Sequence, residues 1–194
     1  MTRSRRLLLA ATVCGAMVFG GMQAMATDVD IDATLTATAA VTVNKVSDLD
    51  FGTIDFTASH IGNIQLGPDG NRALSGATNL TLSGSGAAAQ IDVTSSSGTI
   101  DITCDATGII DDGTQALSIS TVVWDTSAAT FGAAANTCAG LGTGAVSVAT
   151  ANPSIYIGAQ LDIGTDELLA SSGSTPFNTS TGTGNPVTFR FVYQ

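Results

Sequence analysis

The sequence predicts an all-β fold, a β-sandwich, on three observations. First, residues Thr27 to Val43 alternate with a period of two. The odd positions Val29, Ile31, Ala33, Leu35, Ala37, Ala39, Val41 and Val43 are all apolar, and every even position except Ala40 is polar. Such alternation puts one set of side chains on each face of an extended strand. Second, Thr, Ser, Gly, Ala, Val and Ile dominate the chain, and apolar residues show almost no helical spacing. Third, alternating bursts broken by Gly, Asn and Asp recur along the chain, about nine to eleven of them, a cadence that predicts a sandwich of the immunoglobulin-like kind.

The alternating N-terminal stretch is too long for one strand of a small sandwich. At about 3.3 Å per residue, the run starting at Val29 would span roughly 50 Å. It therefore reads as two strands in tandem: a first half that is spare, and a second half that belongs to the domain's own sheet.

Ahead of it, Met1 to Ala26 reads as a cleaved signal peptide. Arg3, Arg5 and Arg6 form a basic start, Leu7 to Gly21 is apolar, and Ala24-Met25-Ala26 has the small-x-small pattern of a signal peptidase site. A membrane anchor is disfavoured because the apolar run is short and no basic stop-transfer cluster follows it. A lipoprotein signal at Cys14 is disfavoured because a bulky Val13 precedes it. The expected organisation is a signal at 1–26, an N-terminal extension at 27–38 and a sandwich domain at 39–194. The expected location is outside the inner membrane, transiently periplasmic and finally at the cell surface.

Removing the signal also removes three of the six basic residues. Lys45, Arg72 and Arg190 remain against sixteen acids, a formal charge of −13. A surface so acidic repels phosphate backbones and anionic lipid, so neither nucleic acid nor membrane insertion is expected. Cys104 and Cys138 are then the only two cysteines in an oxidising compartment, and they are expected to form one disulfide.

Further along, Leu49, Phe51, Ile54 and Phe56 mark an extended piece, with Gly52 as a bulge. A short piece from Ile61 to Leu66 ends at the turn Gly67-Pro68-Asp69-Gly70. Leu80 with Leu82, Ile91 with Val93, Ile100 with Ile102, and Leu117 with Ile119 alternate in later strands. Residues 125–150 loosen into a long connection holding Cys138. Ile155, Ile157, Ala159, Leu161 and Ile163 alternate again, and a loop over 166–184 leads to a last strand with Val187, Phe189, Phe191 and Tyr193 on one face.

Three pieces of this chain together resemble a family of bacterial secreted proteins, the domain of unknown function 4402. They are VTVNKVSDLDFGTI (41–54), GNIQLGPDGNRALSG (62–76) and IYIGAQLDIG (155–164). The resemblance implies an immunoglobulin-like β-sandwich in surface fibres. A second resemblance is to chaperone–usher pilins, which carry an alternating N-terminal extension and a penultimate aromatic. Here these are Val29, Ile31, Ala33, Leu35 and Ala37, and Tyr193. Many pilins have Gly fourteen positions from the end, where this chain has Thr181 with Gly182 beside it. The resemblance implies a periplasmic chaperone and an outer-membrane usher as partners.

The fold class expected is thus an immunoglobulin-like β-sandwich with an N-terminal donor-strand extension. A subunit lacking its final strand exposes a hydrophobic groove and unpaired backbone. A neighbour's extension fills such a groove by strand addition, and an open head-to-tail contact gives a filament. The inserted side chains would be Val29, Ile31, Ala33, Leu35 and Ala37, with Asp28, Asp30 and Asp32 facing solvent. Phe189, Phe191 and Tyr193 would lie near the groove and the chaperone edge. The protein is expected to be a fimbrial subunit that polymerises with itself and supports adhesion or biofilm.

Other classes have less support. The mature chain has one histidine (His60), one glutamate (Glu167) and no GxSxG nucleophile motif, so no enzyme is expected. Asp28, Asp30 and Asp32 alternate like calcium-loop acids, but Ala33 stands where that loop needs Gly. Asp105, Asp111 and Asp112 near Cys104 are the other cation candidates, and no metal or cofactor is expected. Trp124 and Tyr156 could serve sugar stacking, but Trp124 ends an alternating strand and reads as core. The alternative is a monomeric secreted sandwich whose own strand completes it and which acts as a binding module.

Overall fold

A computed structural model describes residues 41–95, 99–142, 145–149, 152–170 and 176–193. The proposed donor residues Val29 to Ala37 and the signal segment lie outside the described residues. Among the described residues, the unit from Val41 onward is all-β, with eleven strands and two short 3-10 turns. The strands are β1 (Val41–Ser47), β2 (Thr53–Leu66), β3 (Arg72–Ser83), β4 (Ala89–Ser95), β5 (Ile100–Cys104) and β6 (Gly108–Asp111). They continue with β7 (Ala116–Asp125), β8 (Asn136–Thr137), β9 (Val146–Val148), β10 (Ser154–Ile163) and β11 (Phe189–Tyr193).

All the pairings are antiparallel and form two sheets. The larger sheet is organised around β10, the SIYIGAQLDI strand. One edge of β10 pairs with β7 from Tyr156 to Asp162. Its other edge is shared end to end, with β4 along 154–157 and β2 along 159–163. The hand-over falls at Gly158, where a Cβ would drive into the Leu66 carbonyl and the Pro68 ring. Only glycine lets β10 pass so close to the turn after β2. The sheet continues outward through β4 to β1 and through β2 to β3, and β7 carries β6 and β8. The smaller sheet has three strands in the order β11-β5-β9.

The two sheets share one core, as in a β-sandwich. Ile100, Ile102, Cys104 and Val148 of the small sheet belong to the same buried cluster as Leu66, Leu117, Val122, Trp124, Ile155 and Leu161 of the large one. Alternation placed these side chains inward, and burying them is the main stabilising term. Trp124 is only 1% exposed and is core, as expected. Cys104 and Cys138 are bonded, with Cα atoms 5.2 Å apart. The bridge joins the end of β5 to the residue after β8, so it ties the small sheet to the large one.

Two expectations need correction. Ile54 and Phe56, read with Leu49 and Phe51 as one extended piece, instead share a single fourteen-residue strand, β2, with the piece Ile61 to Leu66, while Leu49 and Phe51 precede it. Its register with β3 breaks between Phe56 and Ile61, where Ser59 takes φ 61°. The Asp166 carboxylate holds this irregularity by accepting from Ser59 N–H at 2.5 Å and His60 N–H at 3.2 Å. The connection over 125–150 also contributes β8 and β9 to the two sheets. A local pattern of two or three residues is too short to signal such strands.

Candidate functional site

A cavity of about 750 Å³, partly open to solvent, lies between the sheets. One wall is the stretch from Ser47 to Ile54, with Leu49 and Phe51 turned inward. The opposite wall is Pro176 to Thr179 together with Pro186, Val187 and Phe189. The floor is apolar: Ile110, Leu117, Val122, Ile157 and Leu161. The volume falls within the range of natural ligand clefts, and most of its surface is apolar.

The strands beside the cavity are unfinished. Among the described residues, β11 pairs only with β5, and β1 pairs only with β4. Each therefore has a free backbone edge, which ordinarily must be blunted or covered. The small sheet does not extend over all of β1. Val43, on the same face as the cavity-lining Lys45, stays 44% exposed.

The wall at 47–54 is held by Arg72. Its Nη1 donates to the carbonyls of Phe51 (2.7 Å) and Thr53 (3.3 Å). Its Nη2 donates to those of Ser83 (3.1 Å) and Gly84 (2.5 Å). A guanidinium fork satisfies all four oxygens at once. Gly52, at φ 70°, sits against this clamp: a Cβ there would come within 2.6 Å of Arg72 Nη1 and 2.5 Å of the Ser85 carbonyl oxygen. Arg72 thus joins the LDFG piece to the strand hairpin that follows. Its role was missed, although it lies inside the quoted GNIQLGPDGNRALSG stretch.

His60 is fully buried behind the floor. Its Nε2 accepts from Leu168 N–H at 3.0 Å, so Nδ1 carries the proton and donates to the Thr57 carbonyl at 3.0 Å. The ring packs at a 52° tilt against Phe56, centroids 4.8 Å apart, and both Phe56 and Leu168 line the cavity. His60 thereby pins the 3-10 turn Glu167–Ala170 against β2.

Of the residues expected near the groove, Phe189 lines the cavity. Phe191 stacks on Phe189 with ring centroids 6.5 Å apart and is packed against the core, but it is not part of the lining. The backbone of Tyr193 pairs with Ile100. Of the aspartates considered as cation ligands, Asp28, Asp30 and Asp32 lie outside the described residues, and Asp105, Asp111 and Asp112 accept from protein N–H and hydroxyl groups. Asp111 accepts from the hydroxyl and N–H of Thr183 and from Gly113 N–H. The Thr183 hydroxyl first, then the Thr183 and Gly113 N–H groups, hold its carboxyl below the usual carboxylate range. Asp112 accepts from the N–H groups of Thr114 and Gln115, and Asp105 from Thr188 N–H. Among the described residues no group of three or more His, Cys, Asp or Glu is placed to hold a metal ion.

The fold and site together define an all-β protein of two antiparallel sheets with an apolar cleft beside two unpaired strand edges. The chain belongs to the family described as a domain of unknown function (DUF4402), whose profile matches residues 41–189. No curated protein and no solved structure matches it.

Proposed function

We propose that this protein is the structural subunit of a bacterial surface fimbria, an immunoglobulin-like sandwich that polymerises by donor-strand exchange and supports adhesion or biofilm. In this reading a signal peptide exports it, and a periplasmic chaperone and outer-membrane usher handle it before it reaches the cell surface. The observation that supports the reading best is the apolar cleft beside the free edge of β11, with the inner face of β1 half uncovered. Among the described residues no strand pairs with the second edge of β11. Residues 29–37 of another copy have the alternation that such a seat accepts: apolar side chains into the cleft, polar ones outward, and backbone hydrogen bonds to β11.

The test compares the chain from residue 27 onward with the same chain lacking residues 27–37. Negative-stain microscopy and unboiled samples on a denaturing gel are the readouts. Fibres and a heat-sensitive ladder from the longer form, with folded monomer from the shorter one, are expected. A monomeric longer form together with an unfolded shorter one would instead mean that the strand completes its own domain, leaving a monomeric binding module.

A further inference from the structure

The described unit carries three cations, and two of them are committed. Lys45 Nζ pairs with Asp48 at 2.7 Å, and Arg72 is forked across four backbone carbonyls. Arg190 is different. It is the second residue of β11 and exposed, and its guanidinium makes neither a hydrogen bond nor an ion pair within the described residues. Its β5 neighbours do not claim it. Thr103 lies directly opposite, and the diagonal acids Asp101 and Asp105 are engaged by the Ser147 hydroxyl and by Thr188 N–H.

Phe189 lines the cavity, so alternation turns Arg190 to the outer face of the small sheet. A strand laid along the free edge of β11 with its apolar residues in the cleft must place an even-numbered residue beside Arg190. In the alternating extension those residues are Asp28, Asp30 and Asp32, followed by Thr34, Thr36 and Thr38. A slip of one residue would turn the apolar side chains out of the cleft and is excluded on that ground. A slip of two keeps them inside, so the cleft alone discriminates poorly among Val29, Ile31, Ala33, Leu35 and Ala37. Charge discriminates where the cleft does not, because some two-residue steps set an aspartate beside Arg190 and others set a threonine there.

Resting on the strand-donation reading above, we infer that Arg190 is the register-determining residue of the acceptor edge. It pairs with the aspartate ladder 28–32 of a second copy of this chain. An ion pair at a rim acts on encounter rate, salt sensitivity and choice of partner more than on final affinity. It also gives this exposed cation of a strongly acidic chain a partner of opposite sign.

The experiment follows assembly of the chain from residue 27 onward by light scattering at low and high salt. It compares the native sequence with R190D, R190S, and the charge swaps R190D/D28R, R190D/D30R and R190D/D32R. R190D is expected to slow assembly at low salt by roughly tenfold and R190S by a few fold, with the difference shrinking at high salt. One of the swaps is expected to restore most of the rate, and the position that does so reads out the register. R190S, with no added charge, guards against misfolding of R190D. Native chain and R190D assembling at one rate with one salt dependence would overturn the register role and leave strand donation standing. A native chain that stays monomeric would overturn both.

Discussion

On the β6 side of the molecule the outer edge of the larger sheet is closed by backbone from the segment before β11. Ile109 and Asp111 bridge to Asn185 and Asn178, and the Asp111 carboxylate gathers Thr183 and Gly113. The side where β1 and β11 lie has the same kinds of residues and ends in free strand edges, with a cavity behind them. The difference is one of hydrogen-bond partners rather than hydrophobicity. Both sides bury aliphatic side chains, but among the described residues the outer edge of β6 has backbone partners and those of β1 and β11 do not. Leaving such an edge open is an aggregation hazard, and proteins tolerate it where a partner covers it.

The comparison predicts that the closed side and the core carry stability while the open side carries association. Trp124→Ala should have the largest effect, destabilising by about 3–5 kcal/mol in urea denaturation, because it empties a fully buried site. Replacing both Cys104 and Cys138 by Ser should cost about 3–4 kcal/mol by the same measurement. Arg72→Ala should lose about 1.5–3 kcal/mol, and Arg72→Lys should recover only part of it, since an ammonium cannot span four carbonyls. Val43→Asp, on the uncovered face of β1, should change stability by less than about 0.5 kcal/mol. On the strand-donation reading it should nonetheless reduce assembly sharply on a native gel. If Val43→Asp unfolds the protein instead, the two sides are not divided as described.

Much of the sandwich was legible because burial writes itself as alternation. Ile155 to Ile163 read as a strand and is the centre of the larger sheet; Trp124 read as core and is core. The disulfide followed from Cys104 and Cys138 being the two cysteines beyond the segment 1–26. What was not legible depends on contacts between distant residues. The continuity of β2 rests on Asp166 reaching back over a hundred positions to Ser59 and His60, and nothing near Ser59 announces it. The cavity draws its walls from 47–54 and 176–189 and its floor from β6, β7 and β10, so no local pattern marks it. Arg72 entered the sequence reading only as one of three remaining cations, because its partners are carbonyl oxygens, which every residue type supplies.

The Cys104–Cys138 bridge has a mechanical consequence. Tension applied through β11 passes by its backbone bonds to β5, and from Cys104 through the covalent bridge to Cys138 beside β8 and β7. The pull therefore reaches the larger sheet without having to travel through the packed core. The interval between the cysteines, a sequence separation of 34, stays closed when the domain is stretched. At about 3.3–3.6 Å per residue, roughly 110–120 Å of chain is withheld from extension. A string of such domains would yield less slack under load than its residue count implies.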